Sequence, residues 1–558
     1  MIEQKKKPIG ILLTVILISA LLTVCLELGL SYLRPDTPGS LTKHLIHFAI
    51  MFILFGGATL LCLFCPPIKK LWAWLDKHIT SQETRPIAID IIYAALAGLM
   101  LLHHFYVLLY YPTIPAGATK FAPVWIVFAA FTVILGKSWR EISFYLAAIF
   151  LVFTFDRLYI ENPAITGETA VYFSSAIYAL FICLGAFSAL RPSVRKPFLQ
   201  ALCALWTVGM VAMCIPGLYT AWTGINLHNL AGTVGRIIKG RLRIFTPAPM
   251  TAGNLGCGII MAFTGFAISK KKIVKVLYLL SALVAIITNS LTDSRSSFLM
   301  IAFMIAGMLH LSIWTIYHRQ NSKCSGRKNV LVVVSLAICF GLCFFLVVEG
   351  QRYLATSFVS IRDNGGIIIP AARAADNQDT LVPEPTATPK PREIKQREVW
   401  ISEESDINST LNGRYKIWQR GIGYIKKHPE TLLFGLSVDG SVTSVIDRED
   451  HSHNILLQTL LEGGLPALFL YLALIIYGLF HAFRIWRQIG IPFWKQLLPL
   501  PVFAILLWEM AECLSHFSYG HPPMTLFWFF LGATITMSKS LRKPSDTPTR
   551  STTITAGE

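Results

Sequence analysis

The chain has 558 residues, of which 54% are hydrophobic and 14% charged, and its formal net charge is +18. An ordinary globular protein carries about 25% charged residues, so this composition excludes a set of soluble domains. The positive charge does not require nucleic acid as a partner, because Lys and Arg also collect in the cytoplasmic loops of membrane proteins. We therefore interpret the chain as a membrane protein that binds membrane lipids and no nucleic acid.

Apolar runs recur along the whole chain, and many are long enough to cross a hydrocarbon core of about 30 Å. They predict an all-α polytopic membrane protein with about 12–14 transmembrane helices. The first run follows MIEQKKKPIG and lacks a cleavage site of small residues, so it is expected to be an anchor. The candidate spans are about 9–29, 45–66, 87–110, 119–136, 142–160, 171–190, 198–217, 250–269, 274–291, 296–316, 330–349, 455–481, 493–513 and 521–537.

The distribution of Lys and Arg among the short loops predicts the orientation. These residues are more frequent in the N-terminal segment and in the alternate loops that share its side, which indicates the cytoplasmic side. Both termini are then cytoplasmic and the long polar loop is extracytoplasmic. The predicted regions are 1–235 (N-terminal helices), 236–349 (helices with Arg motifs), 350–454 (extracytoplasmic loop), 455–537 (C-terminal helices) and 538–558 (cytoplasmic tail).

The long polar loop has two parts of different character. Residues 364–400 are rich in Pro, Ala and charge, and are expected to be extended. Residues 411–428 place Tyr415, Trp418, Ile422 and Ile425 at helical spacing. This spacing predicts an amphipathic helix that lies either on the outer membrane surface or on the helical bundle.

A short loop at 236–254 concentrates cations on the side where topology disfavours them. Arg236, Lys239, Arg241 and Arg243 all lie within it. One interpretation is an interfacial loop attracted to anionic lipid headgroups. The other is an anion site, because the guanidinium fork of Arg matches phosphate oxygens.

Two further sites place Arg at the outer ends of spans. The sequence TNSLTDSRSS joins two spans through a tight turn that contains Asp293 and Arg295. These two residues either form a structural pair or contribute to a site. Arg414, in NGRYKIW, belongs either to a solvated helix face or to the same site.

The sequence DREDHSHNILLQTLLEGG contains two histidines immediately before a long apolar helix. Asn454 is suited to cap the start of that helix. A neutral His451 or His453 could take a proton from a hydroxyl near pH 7, as a general base does. Zinc binding and a plain interfacial role are the alternatives, and Asp447, Glu449 and Asp450 lie nearby in the sequence.

Four segments resemble, as an ordered set, the motifs of the O-antigen ligase and polymerase superfamily of membrane glycosyltransferases. In chain order they are GRLRIFTPAPMTAGN, TDSRSSFLM, NGRYKIWQRGIGYIKKHPETLLFG and HSHNILLQTLLEGG. The resemblance covers about residues 236–480. It implies a helical bundle of the GT-C type in a bacterial plasma (inner) membrane. It also implies an undecaprenyl-diphosphate-linked glycan as donor, a glycan or lipid-glycan as acceptor, and no metal or other cofactor.

The resemblance also implies roles for individual residues. His453 would activate the acceptor hydroxyl, and Arg295 with Arg241 or Arg243 would bind the donor pyrophosphate. The segment IFTPAPMTAGN departs from the NPN-like pattern of the family, which leaves the choice between Arg241 and Arg243 open. The supporting positions would be Arg414, His451, Asn454 and Asp293.

A transporter or flippase of lipid-linked saccharides is the alternative from another functional class. It predicts charged residues at mid-membrane along a pathway. The charged residues of this chain instead collect at the outer ends of spans. Glu509 and Glu512 are expected to face the bundle interior near His516, as part of the acceptor pocket.

Overall fold

The computed structural model describes most of the helical part of the chain. The residues it describes are 15–20, 23, 41–110, 118–155, 167–229, 232–238, 241–246, 248–320, 328–364, 414–436, 445–446, 452–488, 490–510, 512 and 522–541.

Helices account for nearly all of the described secondary structure. The helices before the small sheet are α1 (Leu41–Phe64), α2 (Pro66–Leu75), α3 (Ile87–Tyr110), α4 (Ala118–Gly136), α5 (Ile142–Thr154), α6 (Gly167–Ile177), α7 (Leu184–Ala189) and α8 (Pro192–Thr223). The helices after it are α9 (Ala248–Ile268), α10 (Lys272–Ser290), α11 (Arg295–Gln320), α12 (Lys328–Asn364), α13 (Arg414–Lys427), α14 (Thr431–Phe434), α15 (Ile455–Trp486), α16 (Phe493–Leu497), α17 (Leu500–Glu509) and α18 (Pro522–Ser540).

Within the described residues, seven helices are long and apolar enough to cross a membrane, and four shorter apolar helices accompany them. Each predicted span from 45–66 to 521–537 overlaps at least one helix, while most of 9–29 lies outside the described residues. Large apolar side chains such as Ile53, 70% exposed, cover outer faces of the bundle, as a lipid-facing surface requires. The prediction of an all-α polytopic membrane protein is confirmed.

Helix α9 lies at the centre of the bundle and packs against α8, α10 and α11. Its residues are small or apolar and almost all are buried, which lets neighbouring helices approach closely. Helix α17 approaches α9 closely at Gly253, where a Cβ would lie 2.5 Å from Cζ2 of Trp508, in α17. The first turns of α9 and the C-terminal end of α17 therefore meet at one end of the bundle.

Helix α15 is kinked near its start. Gly464 has φ 67° and ψ −168°, a conformation that only glycine adopts readily, and Pro466 follows two residues later. The backbone of Leu432 and Leu433 packs against Gly464, and the amide of Leu436 donates to the carbonyl of Leu461 at 2.6 Å. The kink thus makes room for α14 against the first two turns of α15.

The short basic loop forms a three-stranded antiparallel sheet, which the sequence did not predict. The strands are β1 (Leu227–Asn229), β2 (Gly232–Ile238) and β3 (Arg241–Ile244), in the order β1-β2-β3. Ile237 and Leu242 pair with each other across β2 and β3 and are buried. Because side chains alternate along a strand, the Arg residues of this sheet share the opposite face.

A buried charge cluster joins α3 to the connection between α7 and α8. Asp90, in α3, accepts from Nε and Nη2 of Arg85 and, at 2.7 Å, from Nε of Arg191. The side chains of Arg85 and Asp90 are fully buried. Arg85 Nη2 also donates to the carbonyl of Ala189, the last residue of α7. This cluster fixes three segments at the end of the bundle from which α8 starts.

Candidate functional site

His453 lies in the short connection that leads into α15. Its backbone has φ 52°, in the left-handed region that non-glycine residues rarely occupy. The next residue, Asn454, caps the helix as predicted, because its Oδ1 accepts from the amides of Leu456 and Leu457, both at 3.1 Å. Backbone strain of this kind persists only where the surroundings enforce it, and it is common at active sites.

Glu512 joins His453 to the amphipathic helix of the long loop. Its Oε2 lies 3.5 Å from Nδ1 of His453, and its Oε1 accepts from Nη2 of Arg414. The carboxylate side chain is 9% exposed, while the imidazole is 21% exposed and can be reached from outside. The three side chains come from three regions of the sequence and form one ionic cluster. The sequence analysis placed Glu512 in the acceptor pocket and did not predict its pairing with His453.

Hydrogen bonds around Ser452 hold the backbone that precedes His453. The Ser452 carbonyl accepts from Nε1 of Trp418 at 2.9 Å, and its amide donates to Oε1 of Gln458 at 2.8 Å. Gln458 in turn donates to Oε1 of Glu462 at 2.7 Å. Gln458 and Glu462 are buried one turn apart in α15, so the network is rigid. Sequence reasoning missed these two residues, although polar side chains in the first turns of an apolar helix are a signal of function.

Helix α13 is amphipathic, as predicted, but its buried face is not the predicted stripe, because Tyr415 and Ile422 lie outside it and Ile417 lies within it. Ile417 and Ile425 are buried in a small cluster with Leu461 of α15. Tyr415 and Ile422, on the other side, are 42% and 47% exposed. The helix therefore packs on the bundle beside α15, and this packing brings Arg414 to Glu512.

Three cations lie on the same face of the β2–β3 hairpin. Arg236 and Arg243 are directly opposite each other, and Arg241 follows at the end of the ladder. Side chains opposite each other in an antiparallel pair have Cβ atoms about 4.5–5.5 Å apart, and like charges in such a pair are destabilising. Arg243 Nε is buried and has no hydrogen-bond partner among the described residues. Burial, and then the charge of Arg236, lowers the pKa of Arg243.

Arg241 has a different environment from Arg243. Its Nε donates to the carbonyl of Thr292 at 2.9 Å and its Nη2 to that of Asp293 at 3.1 Å. The Leu242 amide also donates to the carbonyl of Leu291 at 2.9 Å. Arg241 therefore fastens the hairpin to the turn between α10 and α11.

That turn is buried and closed by its own polar groups, as the predicted tight turn requires. Asn289 Nδ2 donates to Oγ of Ser297 at 3.1 Å, and Thr292 Oγ1 donates to the Asn289 carbonyl at 2.7 Å. Asp293 has φ 50°, so its backbone also lies in the left-handed region. Arg295 is the first residue of α11, so the turn fixes its backbone.

The hairpin and the His453 cluster belong to the same end of the bundle. The hairpin leads directly into α9, and Gly253, in the second turn of α9, contacts Trp508. Trp508 precedes Glu512 by one helical turn. The start of α9 and the residue before the cap of α15 therefore both lie beside the end of α17, and the hairpin links them to the turn before α11.

Some of the predicted site lies outside the described residues. This applies to His451, His516, Lys239, the Arg295 side chain and the carboxylates at 447–450. In the part of the chain that the structure describes, no three His, Cys, Asp or Glu side chains are grouped as metal ligands would be. Because several candidate ligands are outside that part, the zinc alternative stays untested.

Comparison with known protein families gives one match. Residues 278–472 match the O-antigen ligase family. The matched segment contains Asp293, Arg414 and His453, and it ends before Glu512. No curated protein and no solved structure matches the chain. The resemblance that the ordered motifs predicted is therefore confirmed over residues 278–472, where the chain matches the O-antigen ligase family.

Proposed function

We propose that this protein transfers or polymerises glycan from an undecaprenyl-diphosphate-linked donor onto an acceptor hydroxyl on the extracytoplasmic face of the membrane, in the biosynthesis of a cell-surface polysaccharide. The observation that carries the proposal is the cluster of His453, Glu512 and Arg414 at the end of the bundle that also holds the basic hairpin. A base and a set of cations are the two elements that such a transfer needs.

In this proposal His453 is the general base. Its Nδ1 faces Glu512, and a carboxylate in that position orients the imidazole and stabilises its charged form, as in a catalytic triad. Nε2 is then the atom that takes the acceptor proton. Arg414 neutralises Glu512 on its other side and so holds the carboxylate in place. Asn454 fixes the backbone immediately after the base.

The donor diphosphate is assigned to Arg243, together with Arg295. Arg243 and Arg236 oppose each other on one sheet face, which an anion between them would stabilise. Arg241 is a positioning residue, because its guanidinium is bound to the Thr292 and Asp293 carbonyls. The same contact places the turn, and with it the start of α11, next to the hairpin.

The chemical step that follows is a displacement at the anomeric carbon. The acceptor oxygen forms a bond to that carbon, the bond from carbon to the phosphate oxygen breaks, and His453 receives the hydroxyl proton. Direct attack inverts the anomeric configuration. Fixed guanidinium groups stabilise the charge that develops on the departing diphosphate, a role that preorganised cations can fill without a metal. The polyprenyl tail stays in the bilayer, which explains a site at the membrane boundary.

The test is a transfer assay with the purified full-length protein in detergent and EDTA, using an undecaprenyl-diphosphate-linked oligosaccharide as donor. A longer lipid-linked chain would identify a polymerase, and a new conjugate would identify a ligase. Loss of either product in His453→Ala, with unchanged folding, is the expected result. If the wild-type protein forms no product but moves the lipid-linked saccharide across a liposome membrane, the transporter hypothesis replaces this proposal.

A further inference from the structure

Arg195, in the first turn of α8, is a buried cation whose charge has no acidic partner of its own. The residue is 6% exposed. Its Nε donates to the carbonyls of Phe187 and Leu190 at 3.1 and 2.9 Å. Among the described residues, no hydrogen bond reaches either of its two Nη atoms. These carbonyls satisfy one N–H but supply no full negative charge.

The nearby buried cluster does not supply that charge either. Arg85 and Arg191 already share the single carboxylate of Asp90. Arg85 and Arg195 both bind carbonyls at the end of α7, which brings the two cations close together. Among the described residues, the cluster around Asp90 thus holds three arginines, Arg85, Arg191 and Arg195, and this one carboxylate. Excess charge in a low-dielectric site is costly unless an anion compensates it.

A cavity of about 400 Å³ lies next to Arg195 and has the volume for such an anion. Its polar wall includes Arg195, Gln82 and Ser188 and the ion pair of Lys539 and Glu141, in which each charge neutralises the other and leaves Arg195 as the uncompensated one. Its other walls are apolar and are formed by side chains such as Phe144 and Leu180. A cavity with a cationic wall and an apolar wall suits a molecule that has both a phosphate and a hydrocarbon chain.

This cavity lies at the opposite end of the bundle from His453. Lys539 lies over the ring of Tyr477, at 5.7 Å from its centroid, and Tyr477 is in the C-terminal half of α15. His453 immediately precedes the N-terminal cap of the same helix. The loops at the cavity end are the ones whose Lys and Arg content predicts the cytoplasmic side.

We propose that this cavity binds the phosphate group of an anionic phospholipid of the cytoplasmic leaflet, with Arg195 as the principal contact. The guanidinium Nη atoms donate to the phosphate oxygens, and the start of an acyl chain lies along the apolar wall. The lipid supplies the negative charge that Asp90 cannot share with three cations. The proposal is independent of glycan transfer, because none of its residues belongs to the His453 cluster or the hairpin.

The experiment is native mass spectrometry of the delipidated full-length protein, titrated with dioleoyl phosphatidylglycerol or, for comparison, dioleoyl phosphatidylcholine. We expect one tightly held phosphatidylglycerol on the wild-type protein and about tenfold weaker retention in Arg195→Gln, the loss of one charge-assisted contact. Arg140→Gln is the matched control, since Arg140 is an exposed cation at the same end and does not line the cavity. It should retain the lipid as the wild type does.

A second variant guards against a folding defect in Arg195→Gln. Thr536 lines the cavity, and Thr536→Phe fills part of it while Arg195 stays in place. This variant should also lose the lipid. Equal retention of phosphatidylglycerol by wild type, Arg195→Gln and Thr536→Phe would overturn the proposal. Displacement of the lipid by millimolar inorganic phosphate would overturn the lipid assignment and show that the cavity takes free phosphate.

Discussion

Glu512 Oε2 lies 3.5 Å from Nδ1 of His453, and the same carboxylate accepts a hydrogen bond from Arg414. This arrangement predicts that Glu512→Gln lowers the rate of glycan transfer by about 10²-fold, because the amide keeps the shape but does not stabilise the imidazolium that forms. Rates at saturating donor, measured with the purified protein, test this. An unchanged rate would mean that the carboxylate only stabilises the fold.

His453→Gln should abolish most transfer, with a loss of about 10²–10⁴-fold, the usual contribution of a general base. Binding of the donor should be retained, since the proposed function assigns the diphosphate to other residues. His428→Gln is the matched control: His428 lies between α13 and α14, is exposed, and pairs with Glu430. Transfer by the His428 variant at the wild-type rate, with loss in the His453 variant, is the expected pattern.

Substitutions of the two candidate donor-binding residues of the hairpin, Arg241 and Arg243, should impair different properties of the protein. Arg243→Gln should weaken donor binding by about 10–150-fold, which corresponds to one charged hydrogen-bonded contact, and leave thermal stability nearly unchanged. Arg241→Gln should lower the melting temperature, because it removes the contacts to Thr292 and Asp293. Donor affinity and melting temperature measured on both variants separate the roles. The reverse pattern would assign the donor to Arg241.

The kink of α15 depends on the backbone of Gly464. In Gly464→Ala the new Cβ would lie 2.7 Å from the Leu432 carbonyl, in a conformation unsuited to alanine. We expect a loss of stability of about 1–3 kcal/mol, seen as a lower melting temperature in detergent.

Gly423→Ala is the control for this substitution. Gly423 is inside α13, and nothing lies within 4 Å of a Cβ added there. Alanine at a helical position with open space around its Cβ should stabilise by about 0.5–1 kcal/mol. Equal effects of the two substitutions would contradict the role assigned to the kink.

Two carboxylates at the other end of the bundle should differ in how much they stabilise the fold: Asp90, in the buried arginine cluster, and Asp76, in a partly exposed ion pair. Asp90→Asn leaves Arg85 and Arg191 without a counter-charge in a buried site, and should destabilise by about 3–5 kcal/mol. Asp76→Asn removes a partly exposed pair with Lys137, which is worth about 0–1 kcal/mol. Thermal unfolding of both variants in the same detergent measures the difference.

The helices were predictable because a span needs a long apolar run, and such runs are visible without knowledge of what packs on them. The hairpin was missed because its strands are short and Arg alternates with Ile and Leu, a pattern that also fits a loop at a membrane surface. Which of Arg241 and Arg243 is available to bind the donor depends on the neighbours of each side chain. The turn that binds Arg241 is some 50 residues away in sequence, so this contact could not be predicted from the local pattern.

The candidate site was predicted in part for the same reason. His453 and Arg414 stand in recognisable local patterns, and Asn454 caps α15 through bonds to the next few residues. The role of Glu512 depends on how α17 packs beside α15 and α13. Only tertiary structure brings that carboxylate to the imidazole.

The sharing of Glu512 also has a consequence for how the protein is made. Arg414 and His453 are synthesised before α17, and the carboxylate that both contact follows last of the three. A nascent chain that has inserted only as far as Trp486 therefore carries His453, the proposed base, without the carboxylate that contacts it. Under the proposed function, competence for transfer is therefore acquired only late in membrane insertion.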